Sequence, residues 1–256
     1  MKLEHFIHIY FDCDFPHLPK ESRWVTNRIE FFERFTLPSL LQQTFDDFKI
    51  VLFCGKTHRA ITSKHEWHPK IIPSYQFGKD VFLKSRADFI AITRIDSDDL
   101  FHRAAMADVH KAAQFLMMPN WRSCAIFRHA ITWDMANRYL FPRFRKSPPF
   151  YTHIYPRAFY MDWRAFKADH FVGHGKAGGR LPNTVELPKG RICVTKNNWN
   201  VGLFRRGVSA DFMTEKQRDI FLEENKNAIG DEGTIVSILK HFGVENAMEV
   251  DPWKKH

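Results

Sequence analysis

Apolar positions run almost unbroken through three short segments, "HFIHIYF" (5–11), "FKIVLFC" (48–54) and "FIAITRI" (89–95). Runs of this length, rich in strand formers and closed by turn residues such as Gly55, predict strands buried on both faces. Between them the period changes. Over 28–43, Ile29, Phe32, Leu37, Leu40 and Leu41 fall at helical spacing, with Thr26 or Asn27 as the cap and Pro38 kinking or restarting the helix. Helices are also predicted over 79–88 and over 100–117, the latter with a broad stripe of Phe101, Ala104, Ala105, Val109, Ala112, Ala113 and Leu116. Alternating strands and helices predict an α/β fold whose mostly parallel sheet is flanked by helices. The second half is less regular: strands over 123–127 and 191–195, a flexible glycine-rich loop "GHGKAGGRLPN" between them, and helices over 213–224 and 231–242. With no internal repeat and no low-complexity linker, the chain reads as one domain with halves 1–118 and 119–256.

The composition fits a folded chain: 256 residues, 44% hydrophobic, 15% aromatic, with 25 Phe to fill a core. No apolar run approaches the ~18 residues a transmembrane helix needs, and Glu4, His5 and His8 interrupt the start where a signal peptide would be continuous. The expected location is cytoplasmic. Cys13, Cys54, Cys124 and Cys193 are scattered without a CxxC pair, which signals neither a zinc ribbon nor a disulfide framework and predicts reduced, mostly buried thiols.

Charge adds a second feature. Between Arg138 and Arg180, nine Lys or Arg oppose only Asp162 and Asp169, so this segment carries +7 of the chain's +9. It is also crowded with aromatics, Tyr155 and Trp163 among them. Two readings remain open. The rings pack a core while the charges face water, or the segment, with Arg143 and Arg145, forms a surface for a polyanion where Tyr155 and Trp163 stack on sugars or bases.

The third apolar run ends in "RIDSDD", with Asp96, Asp98 and Asp99 inside four positions. In an open α/β sheet ligands bind at the carboxyl ends of strands. Two like charges ~4 Å apart repel by about 4 kcal/mol at an effective dielectric near 20, so bunched carboxylates imply a shared cation. A hard divalent ion with sites left for phosphate oxygens fits best. Helix capping near Leu100 explains one aspartate but not three.

"ITRIDSDD" resembles the D-x-D motif of GT-A-fold glycosyltransferases, and "FTLPSLLQQTFDDFKIVLFC" resembles the region before it in family-2-like enzymes. The order and spacing resemble the rhamnosyl transferase family of bacterial glycosyltransferases, over about residues 20–105. The resemblance implies a GT-A fold, a nucleotide-sugar donor held by the first half, a bound Mn²⁺ or Mg²⁺, and an acceptor held by the second half. It carries Asp96 and Asp98 over as the D-x-D pair, with Asp99 following. Asp12 and Asp14 are donor-side candidates for base and ribose, Arg86 and Arg94 for the diphosphate. Relatives show a "VHGxN"-like run where this chain reads "CVTKNNWNVG", so Asn197 or Asn198 replaces a histidine as candidate metal ligand and Lys196 is a candidate for the phosphates.

An inverting mechanism, which the family-2 resemblance implies, needs a carboxylate base. Asp231 and Glu232 begin a helix after Gly230 as the acidic pair does in such enzymes, an ordinary helix start being the bland alternative; Asp169 competes for the role. The acceptor classes that suit a basic surface are a polyanionic glycan, a lipid-linked carrier and nucleic acid, including hydroxymethylated phage DNA, and peripheral contact with anionic surfaces suits it too. Two rivals stand beside this reading: a haloacid dehalogenase-type phosphohydrolase with Asp12 as nucleophile and Asp14 as acid, and a non-catalytic nucleic-acid-binding protein.

Overall fold

A computed structural model of the protein describes residues 1–12, 22–119, 121–144, 150–170, 183–197 and 213–245. The three apolar runs form β1 (Leu3–Asp12), β2 (Phe48–Cys54) and, after the short β3 (Ile71–Ser74), β4 (Phe89–Asp96). A two-residue β5 (Leu100–Phe101) follows, then β6 (Ser123–Ile126), β7 (His129–Asp134), β8 (Tyr139–Phe144), β9 (Tyr151–Pro156), β10 (Asn183–Glu186) and β11 (Ile192–Lys196). Seven strands make the central sheet in the order β10-β6-β9-β4-β1-β2-β3, in which β9 alone runs antiparallel to its neighbours. The expected α/β architecture with a mostly parallel sheet is therefore present, and β6, β9 and β10 from the second half of the chain extend it. The remaining strands form a smaller sheet, β5-β11-β7-β8.

Helices cover both faces: α1 (Ser22–Phe31), a π-helical turn (Phe32–Thr36), α2 (Leu37–Leu41), α3 (Arg59–Thr62), α4 (Lys79–Phe82), α5 (Ala105–Leu116), α6 (Arg157–Tyr160), α7 (Trp163–His170), α8 (Glu215–Glu224) and α9 (Glu232–Lys240). The strand pleat sorts the core. Ile7 and Ile9 of β1 face α1 and α5, joining Ile50, Leu52, Val25 and Val109; Phe6 faces the other way, with Val51, Ile90, Ile92, Phe82 and Phe166. A third apolar cluster, with Leu100, Trp133, Leu140, Ile235 and Leu239, joins the smaller sheet to α9.

Three local expectations change and a fourth holds. The first helical stretch begins at Ser22, so Thr26 lies inside it and bonds back to the Ser22 carbonyl rather than capping. Pro38 does mark a restart: it occupies the first turn of α2, directly after the π-helical turn, because proline has no N–H for the carbonyl of the preceding turn. The predicted 79–88 helix stops after one turn. The predicted 100–117 helix starts only at Ala105, because Leu100 and Phe101 pair with Cys193 and Ile192 of β11. Sequence period sees the apolar stripe but not that distant strand.

Five aromatics of the basic segment belong to the core, whereas Phe144 is 59% exposed. Phe150, Tyr151, Tyr155, Tyr160 and Phe166 are each 0% exposed, while Arg143, Arg157, Arg164 and Lys167 face solvent. Cys54, Cys124 and Cys193 are buried and unbridged. Among the described residues no helix is long and apolar enough to cross a membrane.

Candidate functional site

The chain lays β2 and β3 on one side of β1, then crosses back to place β4 on the other. The strand order reverses there, which opens a crevice at the carboxyl ends of β1 and β4. Tyr10 and Asp96 are register partners across it, and β1 ends at Asp12.

The acidic loop that follows β4 is clamped by the segment ahead of it in sequence. Thr36 Oγ1 donates to the Ser97 carbonyl (3.0 Å), the Phe101 amide donates to Ser39 Oγ (3.2 Å), and the Met106 amide donates to Gln43 Oε1 (2.9 Å). Gln43 Nε2 donates to the His102 carbonyl (3.1 Å). The polar positions of "FTLPSLLQQT" thus hold the loop, which gives that pattern a physical reason. Gly243 lets the chain after α9 approach the same helix: its φ is +75°, and a Cβ there would stand 3.0 Å from the Pro38 backbone.

Within the loop the three aspartates have different tasks. Asp99 accepts the Thr195 amide of β11 (3.0 Å) and is 3% exposed. Thr195 Oγ1 makes a short bond to the Asp98 carbonyl and accepts Asn197 Nδ2 (2.7 Å). Asp99 therefore pins the smaller sheet to the loop instead of converging with the other two carboxylates. None of the three caps a helix, since α5 begins later and has Ala104 at its N-cap. Asp98 is 5% exposed, and its Oδ2 has no hydrogen-bond partner among the described residues. Burial, with Asp96 adding repulsion, pushes its carboxyl up to about 6; the Arg28 guanidinium pulls the other way. Asp96 is part-exposed at 34% and lies 3.9 Å from Arg94 Nη2. Arg94 stacks over the Tyr10 ring at 4.1 Å, and although burial disfavours its charge, Asp96 and the two tyrosines Tyr10 and Tyr151 raise its pKa.

Two further residues complete the crevice, and the sequence reading missed both. Arg28 is 4% exposed; its Nε donates to the Phe11 carbonyl (2.8 Å), and its guanidinium lies over the Trp24 ring (5.3 Å). The signal for it was available, because Arg28 falls in the buried stripe with Trp24, Val25 and Ile29, and an arginine there needs a charged reason. His58 sits just beyond β2 and binds Asp12 through Nδ1 and Oδ2 (2.9 Å), with both side chains buried. Its Nε2 and Trp24 Nε1 have no hydrogen-bond partner among the described residues.

The remaining candidates separate. Lys196 carries its ammonium to Asp134 (2.7 Å), its register partner in β7, so its charge is committed to the end of the smaller sheet. Asp231 and Glu232 lie at that same end, where Gly230 packs so tightly on the Tyr139 ring that a Cβ would come within 2.7 Å. Asp231 N-caps α9 through the Thr234 amide (2.7 Å), a bond that lowers its pKa, and Glu232 pairs with Arg138 (2.7 Å).

Arg86 precedes β4 and so lies at the sheet's amino edge, eight residues or ~25 Å along the strand from the acidic loop, outside reach of a diphosphate there. Asp169 is saturated by Arg122 (2.5 Å) and the Tyr155 hydroxyl (3.0 Å), and Tyr155 pairs with Ile90 deep in the sheet, so neither faces the crevice. Trp163 packs with the rear cluster beside Lys79. Arg143 sits opposite Ala130, at the far end of β7 and β8 from Lys196. Asp14, Arg145 and Asn198 lie outside the described residues. Asp12 is 1% exposed and held by His58, which removes it as the open nucleophile of a phosphohydrolase.

Among the described residues no three His, Cys, Asp or Glu side chains form a ready metal cage. Asp96 and the unpartnered oxygen of Asp98 fit a hard cation of the kind that takes one or two carboxylates and completes its shell with phosphate and water.

Thr195 offers a direct check on the loop's anchorage. Thr195→Val keeps the volume but removes the hydroxyl that bonds the Asp98 carbonyl and Asn197 Nδ2, so urea unfolding is expected to give a loss of about 2 kcal/mol. An unchanged midpoint would mean that the knot contributes nothing.

None of the curated proteins compared with the chain matches it. Solved structures do, distantly. S. aureus TarS (residues 1–349) has 15% identity and a TM-score of 0.38, covering 94% of this chain and 70% of that one. Rv0371c from Mycobacterium tuberculosis H37Rv has 14% identity and a TM-score of 0.32, covering 87% and 99%. These likenesses carry no functional detail to this chain. Residues 19–65, which hold Arg28, the clamping helix α2 and His58, match the family described as "Putative rhamnosyl transferase", and over that stretch the chain is similar to rhamnosyl-transferring glycosyltransferases.

Proposed function

We propose that the protein is a metal-dependent glycosyltransferase that moves a sugar from a nucleotide-sugar donor to a hydroxyl of an acceptor. The observation that carries this reading is the buried, unpartnered carboxylate oxygen of Asp98 at the switch-point crevice, behind the part-exposed Asp96. The family match over 19–65 supports it, because the matched helices are those that hold the acidic loop.

Asp96 and Asp98 would hold Mn²⁺ or Mg²⁺ together with the donor's phosphates, and such an ion would supply positive charge beside the leaving diphosphate. Arg94 adds a fixed positive charge beside Asp96. Arg28 tempers the repulsion between the two carboxylates without displacing a cation, since its Nε is committed to the Phe11 carbonyl. Asp12 and His58 line the base and ribose side, where His58 Nε2 and Trp24 Nε1 await partners.

In an inverting reaction Asp231 takes the acceptor's proton. Its bond to the Thr234 amide favours the ionised form and fixes its direction. Asn197 orients Thr195 rather than adding a ligand oxygen, and Asp99 acts through Thr195. The acceptor is a carrier-linked or anionic glycan, in keeping with the net charge of +9.

Thermal-shift titration tests the reading. Mn²⁺ with one of UDP-, GDP-, dTDP- or CMP-sugars should raise the melting temperature, by about 2.7 kcal/mol of stabilisation at 100 times the dissociation constant. The shift should vanish when the metal is chelated. No shift with any donor, with and without metal, would overturn the assignment.

A further inference from the structure

The edge of the central sheet opposite the acidic loop carries features that sugar transfer does not use. The strands β6, β4 and β1 start there and the antiparallel β9 ends there, so the connections around them share one end of the molecule. Phe115 is 77% exposed at the end of α5, and Met118 (38%) and Trp121 (54%) follow in the connection to β6. Met161, just beyond α6, is 43% exposed on the same edge.

The charged groups there are mostly basic. Lys2, Lys84, Arg86, Arg157 and Arg164 are exposed. The acids beside them, Asp88 and Asp162, are occupied by backbone amides: Asp88 accepts the Lys2 amide (2.6 Å), and Asp162 accepts those of Arg164 and Ala165 (3.1 Å each). A groove of about 390 Å³ opens at this edge, rimmed by Lys2, Lys84, Arg86 and Asp80, which accepts the Ser74 hydroxyl (2.6 Å), and floored by Phe6, Ile72 and Val81. Its Glu4 is neutralised by Lys49 (2.5 Å), and neither Lys84 nor Arg86 forms an ion pair among the described residues.

Exposed aromatic and methionine side chains beside unpaired cations are the pattern of a protein surface that rests in the headgroup region of a bilayer. We propose that this edge docks on an anionic phospholipid surface, with Phe115, Met118 and Trp121 entering the boundary between headgroups and acyl chains. The Lys84–Arg86 groove takes a lipid phosphate. A docked molecule holds the acidic loop away from the bilayer, so the crevice stays open to solution. This inference does not depend on the sugar-transfer reading, because none of these residues belongs to the crevice.

Flotation with vesicles tests it. The full chain should float with vesicles of phosphatidylcholine containing 30 mol% phosphatidylglycerol, not with phosphatidylcholine alone, and the bound fraction should fall as salt rises. Phe115→Ser/Trp121→Ser should weaken binding at least tenfold, and Lys84→Glu/Arg86→Glu should remove the dependence on phosphatidylglycerol, both with unchanged circular dichroism and melting temperature. Inorganic phosphate alone should not compete at millimolar concentration. The proposal is overturned if wild type ignores anionic vesicles, or if both folded double variants float as it does. It is also overturned if light scattering shows a dimer that Phe115→Ser/Trp121→Ser dissociates while vesicles stay unbound, which would assign the patch to a second copy of the chain.

Discussion

Asp98→Asn is expected to abolish sugar transfer while making the protein more stable at neutral pH. The two effects share a cause. The Asp98 carboxyl is buried and pushed up to about 6, so the folded state holds its proton more tightly than the unfolded chain does. A group of this kind stabilises the fold fully below its unfolded value near 3.8, and that contribution is lost as pH rises through about 6. At pH 7 to 8 the ionised side chain therefore works against folding, opposed only in part by Arg28. Removing its charge should return on the order of 2 kcal/mol, a melting shift of several degrees for a chain of this size. The same change deletes the carboxylate proposed to hold the donor's cation, and turnover should fall by three orders of magnitude or more. Scanning calorimetry at pH 5 and 7.5, paired with a donor-consumption assay, separates the outcomes. The stability gain should shrink at pH 5, where the wild-type carboxyl is largely protonated. A variant that loses stability at pH 7.5 would show that Asp98 is a structural residue. Full activity in a folded variant would remove the metal site from the mechanism.

Acid is expected to unfold the protein well above the range set by its carboxylates, because four histidines are buried neutral. Burial pushes His5, His8 and His153 down to about 3, with His110 adding to the effect on His5, Arg94 to that on His8, and Arg122 and Arg94 to that on His153. His170 lies well below the ordinary value through burial and its neighbours His8 and His153. The rings form contacts that need at least one unprotonated nitrogen: His8 Nδ1 lies 3.1 Å from His170 Nε2, and His5 Nε2 lies 3.0 Å from His110 Nδ1. The unfolded chain takes up protons near pH 6.5 and the folded state does not, so stability falls from about 6.5 downward, to the limit near 3. Each histidine contributes up to ~1.4 kcal/mol per pH unit in that window, and the four together rival a typical total stability of 5–15 kcal/mol. Urea midpoints should drop steeply between pH 6.5 and 5. His153→Phe should flatten the slope by about one proton, since the Tyr155 hydroxyl keeps its bond to Asp169 in that variant. An acid profile identical to the wild type would show that His153 titrates normally.

Much of the fold follows from local pattern. β1, β2 and β4 are nearly continuous apolar runs, and only a parallel sheet covered on both faces buries such runs completely. The acidic tail of β4 was legible because carboxylates at the end of a buried strand have few structural uses. β5, β7 and β9 were not legible as strands. β9 is buried at every position, so no polar alternation marks it, and β5 is two residues long with its partners 91 and 93 residues away in sequence. The same limit misassigned side chains. Tyr155 and Asp169 look like an aromatic and an acid in a basic surface, yet they close a buried network with His153 and Arg122.

What the sequence determined by itself was the alternation of elements, the placement of Asp96 and Asp98 at a strand's carboxyl end, and the resemblance carried by the segment before them. Only the tertiary structure decided which polar side chains meet. It turned Asp99 onto Thr195 and Lys196 onto Asp134, sent Arg86 to the opposite edge, and brought the buried Arg28 and His58 to the crevice. The physical reason is that apolar periodicity is a property of neighbours along the chain. The partner of a buried charge is set by strand order and register, which bring together residues far apart in sequence.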